Sequence, residues 1–188
     1  MSTQNLPAQI QLPGQGFEAQ QVRWKTGFQV LALPLIILFC SALRFYHLGA
    51  ASLWSDEIFS RYYVDLFGLH YVLSDGLSKE TNPPTYYLLL QGWTALWGHS
   101  EAALRSLSAL GSILCVPVTY QLGREFGGKA RGLAAALFCA FCPISVYFAQ
   151  EARVYALLML ASSVALWAAS VFQRDSRSLN VMEPKRLG

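Results

Sequence analysis

In the stretch LWSDEIFSRYY, residues 53–63, two adjacent carboxylates, Asp56 and Glu57, stand between an apolar run and a set of aromatic side chains. One use for such a pair is catalysis at a membrane surface. The other is structural: Ser55 is a suitable N-cap, and acids in a first helical turn are favoured by the helix dipole. The pair alone does not decide between them. Two further clusters carry polar groups with aromatic neighbours: Asn82-Pro83-Pro84-Thr85-Tyr86-Tyr87, and Gln150-Glu151-Ala152-Arg153-Val154-Tyr155. Glu151 and Arg153 sit between two apolar runs, where ionisable groups are costly unless they have partners or a task. Arg153 and Tyr155 could equally anchor the chain in a membrane interface, with Glu151 as a solvated cap.

The elements that must position these groups are long and apolar. The chain has 188 residues, 54% hydrophobic and 13% charged. Soluble domains carry about twice that share of charge, so the composition is that of a membrane protein. The net charge of +3 is small, and no basic stripe with interleaved aromatics points to nucleic acid. Cys40, Cys115, Cys139 and Cys142 all lie in apolar runs. Cys139 and Cys142 have metal or redox spacing, but no second pair or nearby histidine completes a site, and they read as small buried hydrophobes.

Residues 1–25 read as a polar, flexible tail, without the early apolar core of a signal peptide. Four runs, about 26–45, 102–122, 130–149 and 154–172, are long enough to span a bilayer. Arg23, Trp24 and Lys25 flank the first at one end; Arg44, Tyr46 and His47 flank it at the other, as interfacial anchors do. The stretch 84–98 is too short to cross comfortably and reads as an interfacial helix, capped by Asn82. Residues 56–69 read as a second one, with Phe59, Tyr62, Tyr63 and Leu66 on its apolar face and Glu57, Ser60 and Arg61 on its polar face.

If 84–98 stays on the surface, the basic clusters at Arg23/Lys25, at Arg124/Lys129/Arg131 and in the 173–188 tail share one side. The positive-inside rule makes that side cytoplasmic. Asp56, Glu57, Asp65, Asp75, Glu80, Glu101 and Glu151 then collect on the outer face. The expected fold is an all-α membrane protein of about four transmembrane helices, with two juxtamembrane interfacial helices in the first outer loop.

Four segments, RFYHLGAASLWSDEIFS, NPPTYYLLLQGWTALWG, ALRSLSALGSILCVPVTYQLGREFGG and CPISVYFAQEARVYAL, resemble the amino-terminal part of GT-C membrane glycosyltransferases. The specific likeness, over about 30–172, is to the bacterial glycosyltransferase family 39 (dolichyl-phosphate-mannose protein mannosyltransferase-like) group. The resemblance implies transfer of a sugar from a polyprenyl-phosphate carrier to an acceptor on the outer side of the bacterial inner membrane. It makes Asp56 the catalytic carboxylate, with Glu57 beside it. A base must take the acceptor hydroxyl's proton, and a like charge with partial desolvation would raise one carboxyl pKa for that task. Arg153 suits the carrier phosphate, with Glu151 and Asn82 beside it and Tyr155, Tyr86 and Tyr87 lining sugar or lipid. A divalent cation on Glu57 or Glu151 is compatible with this chemistry, but no ligand spacing calls for one. The sugar and the acceptor stay open.

Family members run to several hundred residues, and the tail QRDSRSLNVMEPKRLG has no recognised counterpart. The chain is therefore expected to be part of a longer gene product and inactive alone. The alternative is an accessory or binding membrane protein that keeps the amino-terminal module without activity. A channel or transporter is disfavoured, because the later spans carry almost no ionisable residue in their middles.

Overall fold

A computed structural model describes residues 31–65 and 83–182, with side chains as far as residue 176. The expected 1–25 tail, the start of the first span, the end of the 56–69 helix and Asn82 lie outside the described residues. All regular structure among the described residues is helical: α1 (Leu31–Phe45), α2 (Ser55–Asp65), α3 (Pro84–Trp97), α4 (Glu101–Phe141), α5 (Pro143–Ala149) and α6 (Tyr155–Met182). Two helices, α4 and the part of α6 from Tyr155 to Ser176, are long and apolar enough to cross a membrane.

Helix α4 is two helices in one. It starts on a Ser100 cap, whose hydroxyl accepts from the Ala103 amide, and is broken at Gly127 and Gly128, where Gly128 adopts φ 78°. That left-handed backbone is open to glycine at no steric cost. The chain then folds back: a Cβ on Gly132 would lie 2.7 Å from the Tyr120 carbonyl, so the two arms touch through backbone. The 102–122 and 130–149 runs thus become the arms 101–126 and 129–141, the second continued by α5 after Pro143. Helix α6 continues past the expected end of its run at residue 172 and reaches Met182.

Two cores organise the chain. Ile36, Cys40, Cys115, Val116, Ala136, Cys139 and Ala140 join α1 to both arms of α4. Tyr63, Tyr86, Tyr87, Leu90, Leu104, Ala152 and Val154 join α2 and α3 to the start of α4 and to the segment before α6. Outside these cores the long helices present Leu35, Leu38, Phe39, Phe138, Leu166 and Phe172 to their surroundings. Such a surface is unfavourable in water and suits a lipid environment.

Three sequence expectations change. Helix α2 places Tyr63 apart from the apolar face assigned to it: Tyr63 is buried with Glu57 and Ser60, while Ile58, Phe59 and Tyr62 face out. An apolar face need not be the protein-facing one when the surroundings are themselves apolar. Helix α3 begins after Pro83, which occupies the cap position without a side-chain bond, in place of the expected Asn82 cap. Arg44, read as an interfacial anchor, is fully buried. Its guanidinium donates to Ser112 Oγ (2.8 Å), Ser145 Oγ (3.0 Å) and the carbonyls of Ala140 (3.0 Å) and Cys139 (3.3 Å). Pro143 has no N–H to return to the Cys139 carbonyl, and Arg44 supplies the missing donor.

Candidate functional site

Segment 150–153, between α5 and α6, is fastened residue by residue. The Gln150 amide nitrogen donates to the Leu43, Arg44 and Tyr46 carbonyls at the end of α1 (3.3, 3.5 and 3.2 Å). Ala152 N–H donates to Glu57 Oε1 at 2.8 Å, and the Arg153 carbonyl accepts from Ser108 Oγ at 3.0 Å. Three parts of the chain distant in sequence, the end of α1, Glu57 on α2 and Ser108 on α4, therefore fix this one turn. It is a rigid support rather than a loose loop.

The two adjacent acids are separated by this arrangement. Glu57 is completely buried and forms a two-pronged ion pair with Arg105, Nε to Oε1 at 2.8 Å and Nη2 to Oε2 at 2.7 Å. Arg105 also donates to the carbonyls of Leu48 (3.0 Å), Ala51 (2.7 Å) and Ser52 (3.1 Å), so all its donors are engaged. Burial pushes the Glu57 carboxyl up, but the bonds from Arg105, Ala152 N–H and Trp54 N–H outweigh it and hold it below its ordinary value. That is opposite to the direction expected for a base raised by a like charge.

Asp56 points the other way. Its side chain is 42% exposed, and its Oδ2 lies 3.3 Å from Arg153 Nη2. Arg153 also donates from Nη1 to the Asp56 carbonyl at 3.2 Å, while its buried Nε has no partner. The guanidinium sits 5.8 Å over the Tyr155 ring, and Tyr155 packs on Phe148 at 4.6 Å. Below Tyr155 opens a groove of about 440 Å³ lined by Ile144, Phe148, Leu158 and Met159, with Ser162 and Ser163. Asp56, Arg153 and Tyr155 therefore meet in one place.

The remaining candidates are elsewhere. Tyr86 and Tyr87 are both buried in the core that joins α2 and α3 to the start of α4; Tyr87 stacks on Tyr63 at 4.6 Å. The Tyr86 hydroxyl is near Ser60 and Ser108 but in bonding geometry with neither, and burial raises its pKa far above the ordinary range. Glu151 is buried and lines a second cavity, which Asp56 does not line. Among the described residues no three His, Cys, Asp or Glu side chains converge as metal ligands. Glu57, fully bonded, has no lone pair to spare for a cation.

Sequence reasoning missed Arg105 and the burial of Arg44. A signal existed for both: Arg105, Ser108 and Ser112 recur at helical spacing on one side of an apolar run, and that side faces the protein.

The all-helical fold, the lipid-suited exterior and the acid–arginine pair at the start of α2 and α6 suit a membrane protein with a polar site. The sequence profile of the dolichyl-phosphate-mannose-protein mannosyltransferase family matches residues 81–181, more than half of the chain. The chain belongs to this family of GT-C glycosyltransferases. The match takes in α3, α4 and the Gln150–Tyr155 cluster, runs into the tail that resembled nothing, and begins downstream of Asp56 and Glu57. No curated protein and no solved structure matches the chain. Family and apolar helices together point to an integral membrane protein with a lipid-linked sugar donor.

Proposed function

We propose that this module transfers a sugar from a polyprenyl-phosphate-linked donor to an acceptor on the outer side of a bacterial inner membrane, using Asp56 and Arg153. The observation that carries the reading is the Asp56–Arg153 pair, with Arg153 over Tyr155, a wall of the apolar groove. The groove suits a prenyl chain. Arg153, with its unpartnered buried Nε, suits the phosphate. The acceptor oxygen attacks the anomeric carbon and gives its proton to Asp56; the bond from that carbon to the phosphate oxygen breaks, and its electron pair leaves on the phosphate. Glu57 is a positioning residue in this scheme, since it holds Ala152 and thereby the turn that carries Arg153. Tyr86 and Tyr87 support the same layer from within, and Tyr155 forms the floor between phosphate and chain. Asn82 keeps its sequence assignment to the substrate side.

The reading includes four spans: α1 with the residues before it, the two arms of α4 with α5, and α6. Arg174 at the far part of α6 pairs with Glu125 beside the α4 reversal at 2.8 Å, which supports a common side for those basic clusters. The positive-inside rule makes that side cytoplasmic. In a cysteine-free background, cysteines at Ser100 and Lys129 are expected to be labelled from outside and inside respectively. Labelling of both from one side removes this topology.

For the donor site, Arg153→Lys is expected to weaken binding of polyprenyl phosphate in lipid nanodiscs by about tenfold or more, because a point charge cannot reproduce the planar fork. Unchanged affinity would remove Arg153 as the phosphate contact.

A further inference from the structure

Beside the proposed donor site lies a cavity that none of Asp56, Arg153 or Tyr155 lines. Its volume is about 340 Å³, and its walls are His47, Trp54, Tyr147, Gln150 and Glu151 over the Glu57–Arg105 pair. That size is at the small end of ligand sites. Trp54 and Tyr147 leave about half their surface uncovered, at 46% and 56%, as walls of a polar cavity. Glu151 is only 7% exposed and has no ion-pair partner among the described residues. Gln150 spends its amide nitrogen on the end of α1, which leaves its oxygen without a partner among the described residues. Arg105 has no donor left.

The cavity thus offers hydrogen-bond acceptors, a carboxylate and flat aromatic faces, and it lacks an unspent arginine or lysine for a phosphate. Those are the requirements of a hydroxyl-bearing ring: hydroxyls donate to Glu151 and Gln150, and the apolar C–H face lies against Trp54 or Tyr147. His47, at its edge, holds φ 54°, a left-handed backbone that is uncommon outside glycine and found preferentially at binding sites. The donor's own ring does not suit this place, because its anomeric carbon is attached directly to the phosphate at Arg153. The two cavities have no lining residue in common, yet their aromatic walls are continuous, with Tyr147, Phe148 and Tyr155 in successive contact at 5.4 and 4.6 Å.

We propose that this cavity binds one neutral sugar ring of the acceptor, so that the acceptor is a glycan rather than a bare hydroxyl side chain. Its role as acceptor rests on the transfer reading above; the sugar site itself does not.

The test uses the full chain in lipid nanodiscs, with saturation-transfer NMR of neutral methyl hexosides and polyprenyl phosphate as a separate probe. Ring C–H protons are expected to receive saturation, and Glu151→Gln and Trp54→Ala are each expected to weaken the glycoside by about tenfold or more. Protection of the Ala152 amide against exchange checks that these variants keep the fold. Saturating polyprenyl phosphate should leave the glycoside signal in place. Glycoside binding without polyprenyl phosphate binding would support the cavity assignment while overturning the donor reading. Absent saturation transfer, or transfer indifferent to both substitutions, overturns the proposal. So does displacement of the glycoside by methylammonium, which would mark a cation site, or by a polyprenyl-phospho-sugar but not by the sugar-free phosphate, which would mark the donor's ring.

Discussion

Arg105→Met is expected to destabilise the packing of α2 against α4 by about 3–5 kcal/mol, the usual cost of leaving a buried charge without its partner. Glu57 would keep its full burial and lose two of its four bonds. The loop through Leu48, Ala51 and Ser52 would lose the donor that shapes it. Amide exchange at Trp54 and Ala152, both bonded to Glu57, should accelerate by roughly 10²-fold or more. The double change Glu57→Leu with Arg105→Met should recover much of the loss, because two apolar groups leave no charge behind. Wild-type exchange in Arg105→Met alone would refute the assignment. The same pair sets a pH dependence. The Glu57 carboxyl is held below its ordinary 4.5, so its contribution is complete above that pH and disappears as pH falls through the depressed value. Acid should therefore accelerate exchange in the parent protein and have much less effect in the double variant.

The helices were legible in the sequence because apolar length and the turn around Gly127 and Gly128 are local signals, although the run 130–149 was read without its break at Pro143. So was the coming together of Asp56, Arg153 and Tyr155, through family resemblance and charge placement. Pairing across the chain was not legible. Glu57 and Arg105 are far apart in sequence, and nothing local distinguishes an acid that will be buried from one that will face solvent. Helix α2 was read with Tyr63 on its apolar face beside Phe59 and Tyr62; the structure buries Tyr63 with Glu57 and Ser60, because the distant Arg105 fixes which side of the helix faces the protein. Arg44 was misread because its partners, too, are distant in sequence. At a span's end arginine usually reaches for the interface, but Ser112, Ser145 and the Pro143 break together offered it enough acceptors to be buried.

Separating the two acids makes their substitutions distinguishable. Asp56→Asn keeps the shape of the side chain and a carbonyl oxygen for Arg153, and it removes the carboxylate proposed to accept the proton. In membranes carrying this module and transferring labelled sugar from a polyprenyl-phosphate donor, it is expected to lower kcat by about 10²-fold or more while the donor KM changes little. The geometry favours Asp56 for this role over Glu57. Its contact to Arg153, at 3.3 Å, is longer than the 2.7 Å contact of Glu57 to Arg105, and its side chain is 42% exposed where that of Glu57 is closed. Glu57→Gln should behave differently: its loss should follow the weakened exchange protection of Ala152 and diminish under conditions that restore the fold. Arg153→Lys should raise the donor KM more than it lowers kcat. If Asp56→Asn transfers sugar at the parent rate, Asp56 is an acid in a first helical turn and the base is another group. If the parent chain binds polyprenyl phosphate, with Arg153 required, and transfers nothing, the module is a donor-binding half whose catalytic step needs further chain.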